Sequence, residues 1–237
     1  MSEFRDILIK TLSECGSTLD EAAVDRLCTY NDLLIERNRV MNLTALTEPR
    51  DVALKHFADS LMLLRYCEIG QGASVIDVGT GAGFPGLVLK IARPDIRLML
   101  LDSLQKRLNF LEEVCDALDL DDVQTVHSRA EDGARTDLRE SFDIAVARAV
   151  APLNVLSEYC LPYVKEGGRF LSMKGKSAAE ELQTAQNAVE VLGGRVENEF
   201  YFDLAEAGER GIVEIAKIRP TPAIYPRKSK QIKNKPL

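Results

Sequence analysis

An α/β fold with a mostly parallel sheet is predicted by three features of this 237-residue sequence. Short apolar or β-branched runs alternate with segments of helical periodicity between residues 74 and 173. A glycine-rich stretch, Gly79-Thr-Gly-Ala-Gly83, follows the first of these runs. The last two runs in the chain lie close enough together to form a hairpin. We therefore expect βαβ units with an antiparallel hairpin at the end of the sheet.

Three helices are expected before the sheet. The first covers residues 4–12. The second begins at Thr18-Leu-Asp-Glu21, which has the spacing of a capping box. The third begins at Pro49, a favourable first position in a helix, and extends to about Tyr66. Residues 1–68 are therefore expected to form an N-terminal helical subdomain.

Seven strands are expected in the rest of the chain, at residues 74–78, 96–101, 123–126, 142–147, 169–173, 195–202 and 212–218. Helices are expected between most of them, at residues 87–92, 104–118, 151–164 and 177–192. This pattern assigns residues 69–220 to a sheet domain and residues 221–237 to a C-terminal tail. A mostly parallel, Rossmann-like seven-stranded sheet with an antiparallel terminal hairpin is typical of class I methyltransferases, which use S-adenosylmethionine (SAM).

The glycine-rich stretch is expected to bind a cofactor, because ligands of open α/β sheets lie at the carboxyl ends of the strands. Gly81 to Gly86 also satisfies the dinucleotide pattern G-x-G-x-x-G, so an NAD-dependent oxidoreductase is an alternative. Two residues favour SAM. The carboxylate of Asp77 attracts a cationic ligand and would repel a pyrophosphate, and Pro85 lacks the N–H that a phosphate would need.

Further candidates for the site follow the next three strands. Asp102 ends the second strand, where its carboxylate can accept both hydroxyls of a ribose or cap the following helix. After the third strand, the backbone of Ala130 and the side chain of Glu131 are expected beside an adenine, although a solvated loop is the alternative. Arg148 follows the fourth strand, and its guanidinium is expected either to form an ion pair or to face a ligand.

Charge is unevenly distributed along the chain. The formal net charge of −7 disfavours a nucleic-acid partner by itself. Yet the end of the chain carries basic residues and no acidic ones: Lys217, Arg219, Arg227, Lys228, Lys230, Lys233 and Lys235. This tail is either a solvated, disordered end or an arm that contacts phosphates.

Several other classes of protein are disfavoured. The five cysteines are scattered without a Cys-x-x-Cys pair, and there are only two histidines, so we expect neither disulfides nor a metal site. No apolar run reaches the roughly 18 residues that span a bilayer, and the N-terminus lacks a signal-peptide pattern. We therefore expect a cytoplasmic protein without membrane contact.

The chain resembles the RsmG (GidB) family, the 16S rRNA guanine-N7 methyltransferases, over nearly its whole length. The stretches that carry the resemblance are Met41-Asn-Leu-Thr-Ala45, His56-Phe-Ala-Asp-Ser60, Asp77 to Gly86, Leu101-Asp-Ser103, Lys106-Arg107, Ser128-Arg-Ala-Glu131, Arg148-Ala149, Met173-Lys-Gly175 and Tyr225-Pro-Arg-Lys228. The resemblance implies that SAM is the cofactor. Its implied contacts are Gly79, Phe84, Ala130, Glu131, Arg148 and, for the ribose, Asp102; from the turn itself we add Asp77 and Gly81.

The resemblance also implies a reaction on a guanine of 16S rRNA in the small ribosomal subunit. We expect Arg148 and Lys174 to be catalytic, by orienting the guanine or its phosphate. RNA is expected to contact the basic tail and the arginines between residues 37 and 50, which are Arg37, Arg39 and Arg50. A small-molecule methyltransferase and a non-catalytic RNA-binding protein are further alternatives, and the basic tail argues against the former. A monomer is expected.

Overall fold

The computed structural model describes residues 3–237 and contains a seven-stranded sheet. Its strands are β1 (Ser74–Val78), β2 (Arg97–Asp102), β3 (Val123–His127), β4 (Phe142–Arg148), β5 (Val164–Lys174), β6 (Gly194–Asp203) and β7 (Glu209–Lys217). Each strand overlaps its predicted position. β5 is much longer than expected, because its N-terminal part continues through two glycines that weaken the sequence signal for a strand.

The strands lie in the order β3-β2-β1-β4-β5-β7-β6. The first five are parallel, whereas β7 runs antiparallel to both β5 and β6. The predicted fold class is therefore confirmed. The order reverses between β1 and β4, and such a switch point leaves a crevice at the carboxyl ends of the two strands. This crevice is where the glycine-rich turn lies.

Helices cover both faces of the sheet, as βαβ connections require. From residue 69 onward they are α5 (Gly86–Ala92), α6 (Gln105–Ala117), α7 (Ala130–Gly133), α8 (Leu153–Cys160), α9 (Ala178–Val191) and α10 (Ser229–Asn234). Short 3₁₀ turns follow α8 and β6. None of the helices within residues 3–237 is both long and apolar enough to cross a membrane.

The N-terminal helices are α1 (Glu3–Glu14), α2 (Glu21–Met41), α3 (Pro49–Val52) and α4 (Asp59–Tyr66), with a π-helical segment between α3 and α4 at Ala53–Ala58. The single helix predicted from Pro49 to Tyr66 is thus interrupted by a wider turn. Leu27 and Leu34 of α2 are fully buried in the same apolar core as Leu87 of α5. The chain division at residues 68 and 220 stays a prediction.

The predicted capping box at the start of α2 is wrong. The helix begins at Glu21, and the residue that caps it is Asp20, whose Oδ1 accepts a hydrogen bond of 2.7 Å from the N–H of Ala23. Thr18 precedes this position. The helix begins two residues later than expected because a carboxylate supplies the cap at Asp20, so Glu21 lies too early in the helix to complete a capping box.

The C-terminal tail is packed onto the sheet domain. Glu158 of α8 is fully buried and forms an ion pair with Arg227, whose Nη2 lies 2.6 Å from Oε2. The backbone N–H of Arg227 donates to the same carboxylate at 2.7 Å. Ile232 of α10 is fully buried as well. A solvated, disordered end, one of the two alternatives for the tail, is therefore not what the structure shows.

The ion pair between Arg227 and Glu158 should make the tail important for stability. Replacing Arg227 with alanine leaves a buried carboxylate without its charge partner, and we expect a loss of about 3 kcal/mol in the free energy of unfolding. Chemical unfolding followed by circular dichroism measures this change. Replacing the exposed Lys230 with alanine is the matched control and should cost less than about 0.5 kcal/mol.

The double variant Arg227→Ala with Glu158→Gln separates the ion pair from simple packing. If the unpaired charge causes the loss, removing that charge should restore part of the stability. Equal stabilities of the wild type and the Arg227→Ala variant would contradict a docked tail.

Candidate active site

A cavity of about 980 Å³ opens at the carboxyl ends of the parallel strands. Its walls come from the glycine-rich turn after β1, the end of β2, helix α7, the end of β4 and the tail. Such a volume lies within the range of about 300–1,000 Å³ that is usual for cofactor and small-molecule sites. The predicted cofactor-binding residues that line it are Gly79, Gly81, Phe84, Asp102, Ala130, Glu131 and Arg148.

The backbone of the glycine-rich turn donates its hydrogen bonds inwards. The N–H groups of Gly79 and Thr80 donate to the carbonyl oxygen of Leu101, at 2.8 and 3.1 Å. Gly83 and Phe84 donate to the carbonyl oxygen of Thr80. The N–H of Gly81 donates to Asp102 and that of Gly86 to Asp77. Pro85 has no N–H to offer. The turn therefore has little backbone left for a pyrophosphate.

Asp77 lies beneath the turn and does not face the cavity. Its side chain is fully buried, and Oδ2 accepts hydrogen bonds from Thr80 Oγ1 at 2.7 Å and from Gly86 N at 2.9 Å. Oδ1 has no hydrogen-bond partner within the described chain. The expected contact between Asp77 and a cofactor is therefore corrected: the carboxylate faces its own loop because the backbone N–H of Gly86 draws it inward.

Two glycines of the turn are required by close packing. Gly83 has φ +100°, and a Cβ atom there would collide with the hydroxyl of Tyr30 from α2. A Cβ atom at Gly86 would lie 2.8 Å from Oδ2 of Asp77. Tyr30, which is fully buried, also donates a hydrogen bond to the carbonyl oxygen of Ala82. The N-terminal helices and Asp77 thus fix the turn from two sides.

Asp102 lies at the end of β2 with one carboxylate edge at the cavity. Its Oδ2 accepts from Gly81 N at 3.0 Å and lies 3.3 Å from Nη1 of Arg107, while Oδ1 accepts from Leu104 N at 2.9 Å. Helix α6 begins only at Gln105, so Asp102 is not its N-cap. These contacts fix the carboxylate: both acceptor positions of Oδ2 are occupied, and Oδ1 retains one for a ribose hydroxyl.

Helix α7 forms the wall beside Asp102. Glu131 is 5% exposed and lines the cavity. The carbonyl oxygen of Ala130 accepts a hydrogen bond of 2.7 Å from the hydroxyl of Tyr163, which holds this backbone in place. Ala130–Gly133 is therefore a short, fixed helix rather than a solvated loop. Its residues Ala130 and Glu131 both border the cavity.

Arg148 links the end of β4 to the N-terminal helices. Nη1 donates to Oδ2 of Asp59 at 2.8 Å and to the carbonyl oxygen of Lys55 at 2.9 Å. Nη2 lies 3.2 Å from Nδ1 of His56, and the guanidinium sits 5.1 Å from the ring centre of Phe84. Arg148 therefore forms the ion pair that was one of the two alternatives, and it also lines the cavity.

His56 is a cavity residue to which sequence reasoning gave no role. Its ring stacks on Phe84 with centres 4.3 Å apart, and Nε2 lies 2.8 Å from Oγ1 of Thr44. Burial, with the charge of Arg148 as the second cause, lowers the pKa of His56 to about 3. The imidazole is therefore neutral at physiological pH. The sequence offered one signal for His56, a histidine within a largely apolar helix. Its contact with Arg148 could not be predicted, because the two residues lie 92 positions apart.

Lys174 does not line the main cavity, which corrects the expectation that it touches the reacting groups. Its Nζ lies 2.8 Å from Oε2 of Glu181 on α9 and donates to the carbonyl oxygen of Ala151 at 2.5 Å. Lys174 borders a second cavity of about 290 Å³, together with Asp59, Arg148 and Arg210. The amine is drawn to α9 because Glu181 offers a carboxylate in a largely buried setting.

The predicted RNA-contacting residues fall into two groups. Arg37 forms an ion pair with Glu113, and Arg50 with Glu14 and Glu206, whereas Arg39 is exposed. Tail residues Ser229, Lys233 and Pro236 line the main cavity, which sequence reasoning missed.

In the region that the structure describes, no cluster of three or more His, Cys, Asp or Glu is placed to hold a metal ion.

Comparisons with solved structures show which fold the chain has. A SAM-dependent methyltransferase from Aquifex aeolicus is 19% identical with a TM-score of 0.55, over 73% of this chain and 96% of that one. TYW2 from M. jannaschii, solved in complex with AdoMet, is 13% identical with a TM-score of 0.51, over 63% and 71% of the two chains. The protein has the class I SAM-dependent methyltransferase fold.

Residues 23–208 match the family described as GidB, rRNA small subunit methyltransferase G, and the chain belongs to this family. Relatives named ribosomal RNA small subunit methyltransferase G occur in Acetivibrio thermocellus, 47% identical over 99% of this chain and 97% of the relative, and in Leuconostoc mesenteroides, 49% identical over 97% of each chain. The predicted family, enzyme class and cofactor are confirmed.

The buried carboxylate of Asp77 should give the protein a pH-dependent stability. Burial raises the pKa of Asp77 to about 6, against 3.8 in an unfolded chain. The folded state therefore binds the proton more tightly, and stability should fall as the pH rises from about 4 to about 6. The expected loss is about 3 kcal/mol, at roughly 1.4 kcal/mol per pKa unit.

The variant Asp77→Asn cannot ionise, so its stability relative to the wild type should rise by this amount over the same pH range. Urea unfolding at pH 4, 5, 6 and 7 measures the difference. Asp116→Asn, on the exposed side of α6, is the control and should follow the wild type throughout. A constant difference between Asp77→Asn and the wild type would show that Asp77 does not titrate in this range.

Proposed function

We propose that this protein transfers the methyl group of SAM to N7 of a guanine in 16S rRNA of the small ribosomal subunit. The observation that carries the proposal is the cavity, in which a turn with inward-pointing donors lies beside a fixed carboxylate at the end of β2. The names of the relatives support an RNA of the small subunit as the substrate. We place the reaction in the cytoplasm, and a monomer without metal stays a prediction.

The cavity suits SAM better than a dinucleotide. SAM carries a sulfonium and an ammonium but no phosphate, so it needs no free N–H groups from the turn. We assign Asp102 to the ribose, and the wall formed by Ala130 and Glu131 to the adenine, because all three residues line the cavity. A pyrophosphate would find most of the turn's N–H groups in use and Asp102 and Glu131 nearby as like charges.

The reaction needs positioning more than proton transfer. N7 of guanine carries an unprotonated lone pair at neutral pH, so no side chain has to remove a proton first. Holding the lone pair in line with the methyl group can supply about 7–11 kcal/mol of the barrier. Arg148 and Phe84 are held rigidly at the cavity, and we assign them to orienting the base. Lys174 is assigned to fixing α9.

We assign RNA binding to the face around the cavity mouth. The tail carries exposed Lys228, Lys230, Lys233 and Lys235, and α10 places Lys233 at the cavity itself. Exposed lysines attract phosphates through a salt-dependent, sequence-independent interaction. Because the tail packs on α8, it holds these charges beside the mouth of the cavity, whereas a freely moving arm would not.

The role of Asp102 predicts a specific loss of cofactor affinity. Asp102→Ala removes the hydrogen bond that we assign to the ribose and an acceptor for Gly81, so the Kd for SAM should rise about 10- to 100-fold. Isothermal titration calorimetry measures the change. Asp116→Ala should bind SAM like the wild type. Unchanged affinity of Asp102→Ala would refute the ribose role, and tight binding of NAD by the wild type would favour the oxidoreductase.

Mapping of methylated guanine tests the proposed function directly. Small-subunit rRNA from cells that lack the protein should miss one N7-methylguanine, which borohydride and aniline cleavage detects as a strand break. Purified protein with SAM should restore it on subunits from those cells, and protein without SAM should not. A methyl group at another atom, or in large-subunit rRNA only, would contradict the proposal.

A further inference from the structure

Thr44 lies at the edge of the main cavity in the turn after α2, and its backbone is held firmly. The side chain of Asn38 accepts from the N–H of Thr44 at 2.8 Å and donates to its carbonyl oxygen at 2.9 Å. The N-terminal helices thus present one fixed hydroxyl group to the cavity. Neither the ion pairs nor the cofactor contacts described above use this group.

The hydrogen bonds of His56 determine how the Thr44 hydroxyl is oriented. A guanidinium has donors only, so Nδ1 of His56 must accept the hydrogen bond from Arg148. The neutral imidazole then carries its proton on Nε2 and donates it to Oγ1 of Thr44, at 2.8 Å. The low pKa of His56 agrees with this neutral form.

A second donor fills the remaining acceptor position of the hydroxyl. The backbone N–H of Leu46 donates to Oγ1 of Thr44 at 3.0 Å. A hydroxyl group accepts two hydrogen bonds and donates one, so Oγ1 can now only donate further. Apart from Nε2 of His56, which is a donor in this tautomer, no side chain or carbonyl in residues 3–237 lies at hydrogen-bond distance to accept this proton from Thr44. The proton is therefore free for a ligand in the cavity.

The ligand that this donor fits is the edge of a purine that carries N7. Guanine has the acceptor O6 next to N7, whereas adenine has an N6 amino group with its own protons. Resting on the proposed function, we propose that the hydroxyl of Thr44 donates to O6 of the target guanine and so selects guanine over adenine. Arg148 and His56 act as positioning residues, because they fix the direction of this hydrogen bond.

A substrate analogue and an isosteric variant test this specificity. Small subunits are reconstituted with 16S rRNA that carries either guanine or 2-aminopurine at the target position; 2-aminopurine keeps N7 but lacks O6. The wild type should methylate guanine at least tenfold faster than 2-aminopurine. Thr44→Val keeps the shape without the hydroxyl, so it should methylate guanine at least tenfold more slowly and distinguish the two bases less than threefold. Thr44→Ser restores the hydroxyl and should regain the discrimination.

Two controls keep the result specific to the hydroxyl. Thr47→Val, an exposed position in the same turn, should behave like the wild type. The Kd for SAM should be the same in all four proteins, so a damaged cofactor site would be detected. Thr44→Val that still prefers guanine tenfold would overturn the inference, as would a wild type that methylates both bases equally.

The outcomes also separate this inference from the function on which it rests. A wild type that produces no N7-methylguanine on the natural subunit refutes both. A wild type that produces it and retains its preference when the Thr44 hydroxyl is removed refutes the O6 contact alone.

Discussion

The hydrogen bond from the N–H of Gly86 to the carboxylate of Asp77 is the contact on which the cofactor side of the cavity depends. Through this bond a carboxylate of the protein itself takes the N–H at the start of α5, where a phosphate would otherwise bind. Charge-assisted hydrogen bonds of this kind are about twice as strong as neutral ones. Thr80 adds a second bond to the same oxygen. The turn is thereby fixed with its donors pointing inwards, so it can approach an uncharged or cationic ligand closely but offers little to a phosphate.

The side of the cavity around Arg148, which we assign to the methyl acceptor, depends on a second buried carboxylate. Asp59 binds Arg148 at 2.8 Å and Arg210 at 3.2 Å, and so connects β4, β7 and the helices before the sheet. Because both partners are largely buried, the loss of one charge would leave the others poorly compensated. The helical part is therefore more than a cover over the sheet. It supplies the groups that hold Arg148 and, through His56, the Thr44 hydroxyl at the edge of the cavity.

The sequence was sufficient to predict most of what depends on local pattern, although not the cap of α2 or the π-helical segment. The strands, the glycine-rich turn, Asp102 and Arg148 follow from periodicity and from the position of residues at strand ends. The directions of side chains depend on partners distant in sequence, and these were not predictable. Lys174 turns towards Glu181, and Arg227 binds Glu158, 69 residues away. Asp77 was expected to face the ligand because a sequence shows that a carboxylate is near a turn, not on which side of the backbone it lies.

The contacts of Arg148 depend on the extra residue in the π-helical segment Ala53–Ala58. It provides the carbonyl of Lys55 and the ring of His56, and Asp59 follows directly. A π turn contains one residue more than an α turn. Deleting one residue here would allow an ordinary helix with its flanking turns in nearly the same register, but the wider turn that brings Lys55, His56 and Asp59 to Arg148 would be lost. Asp59 and His56 would then no longer meet Arg148 together, so a deletion that improves the local helix would dismantle the active site.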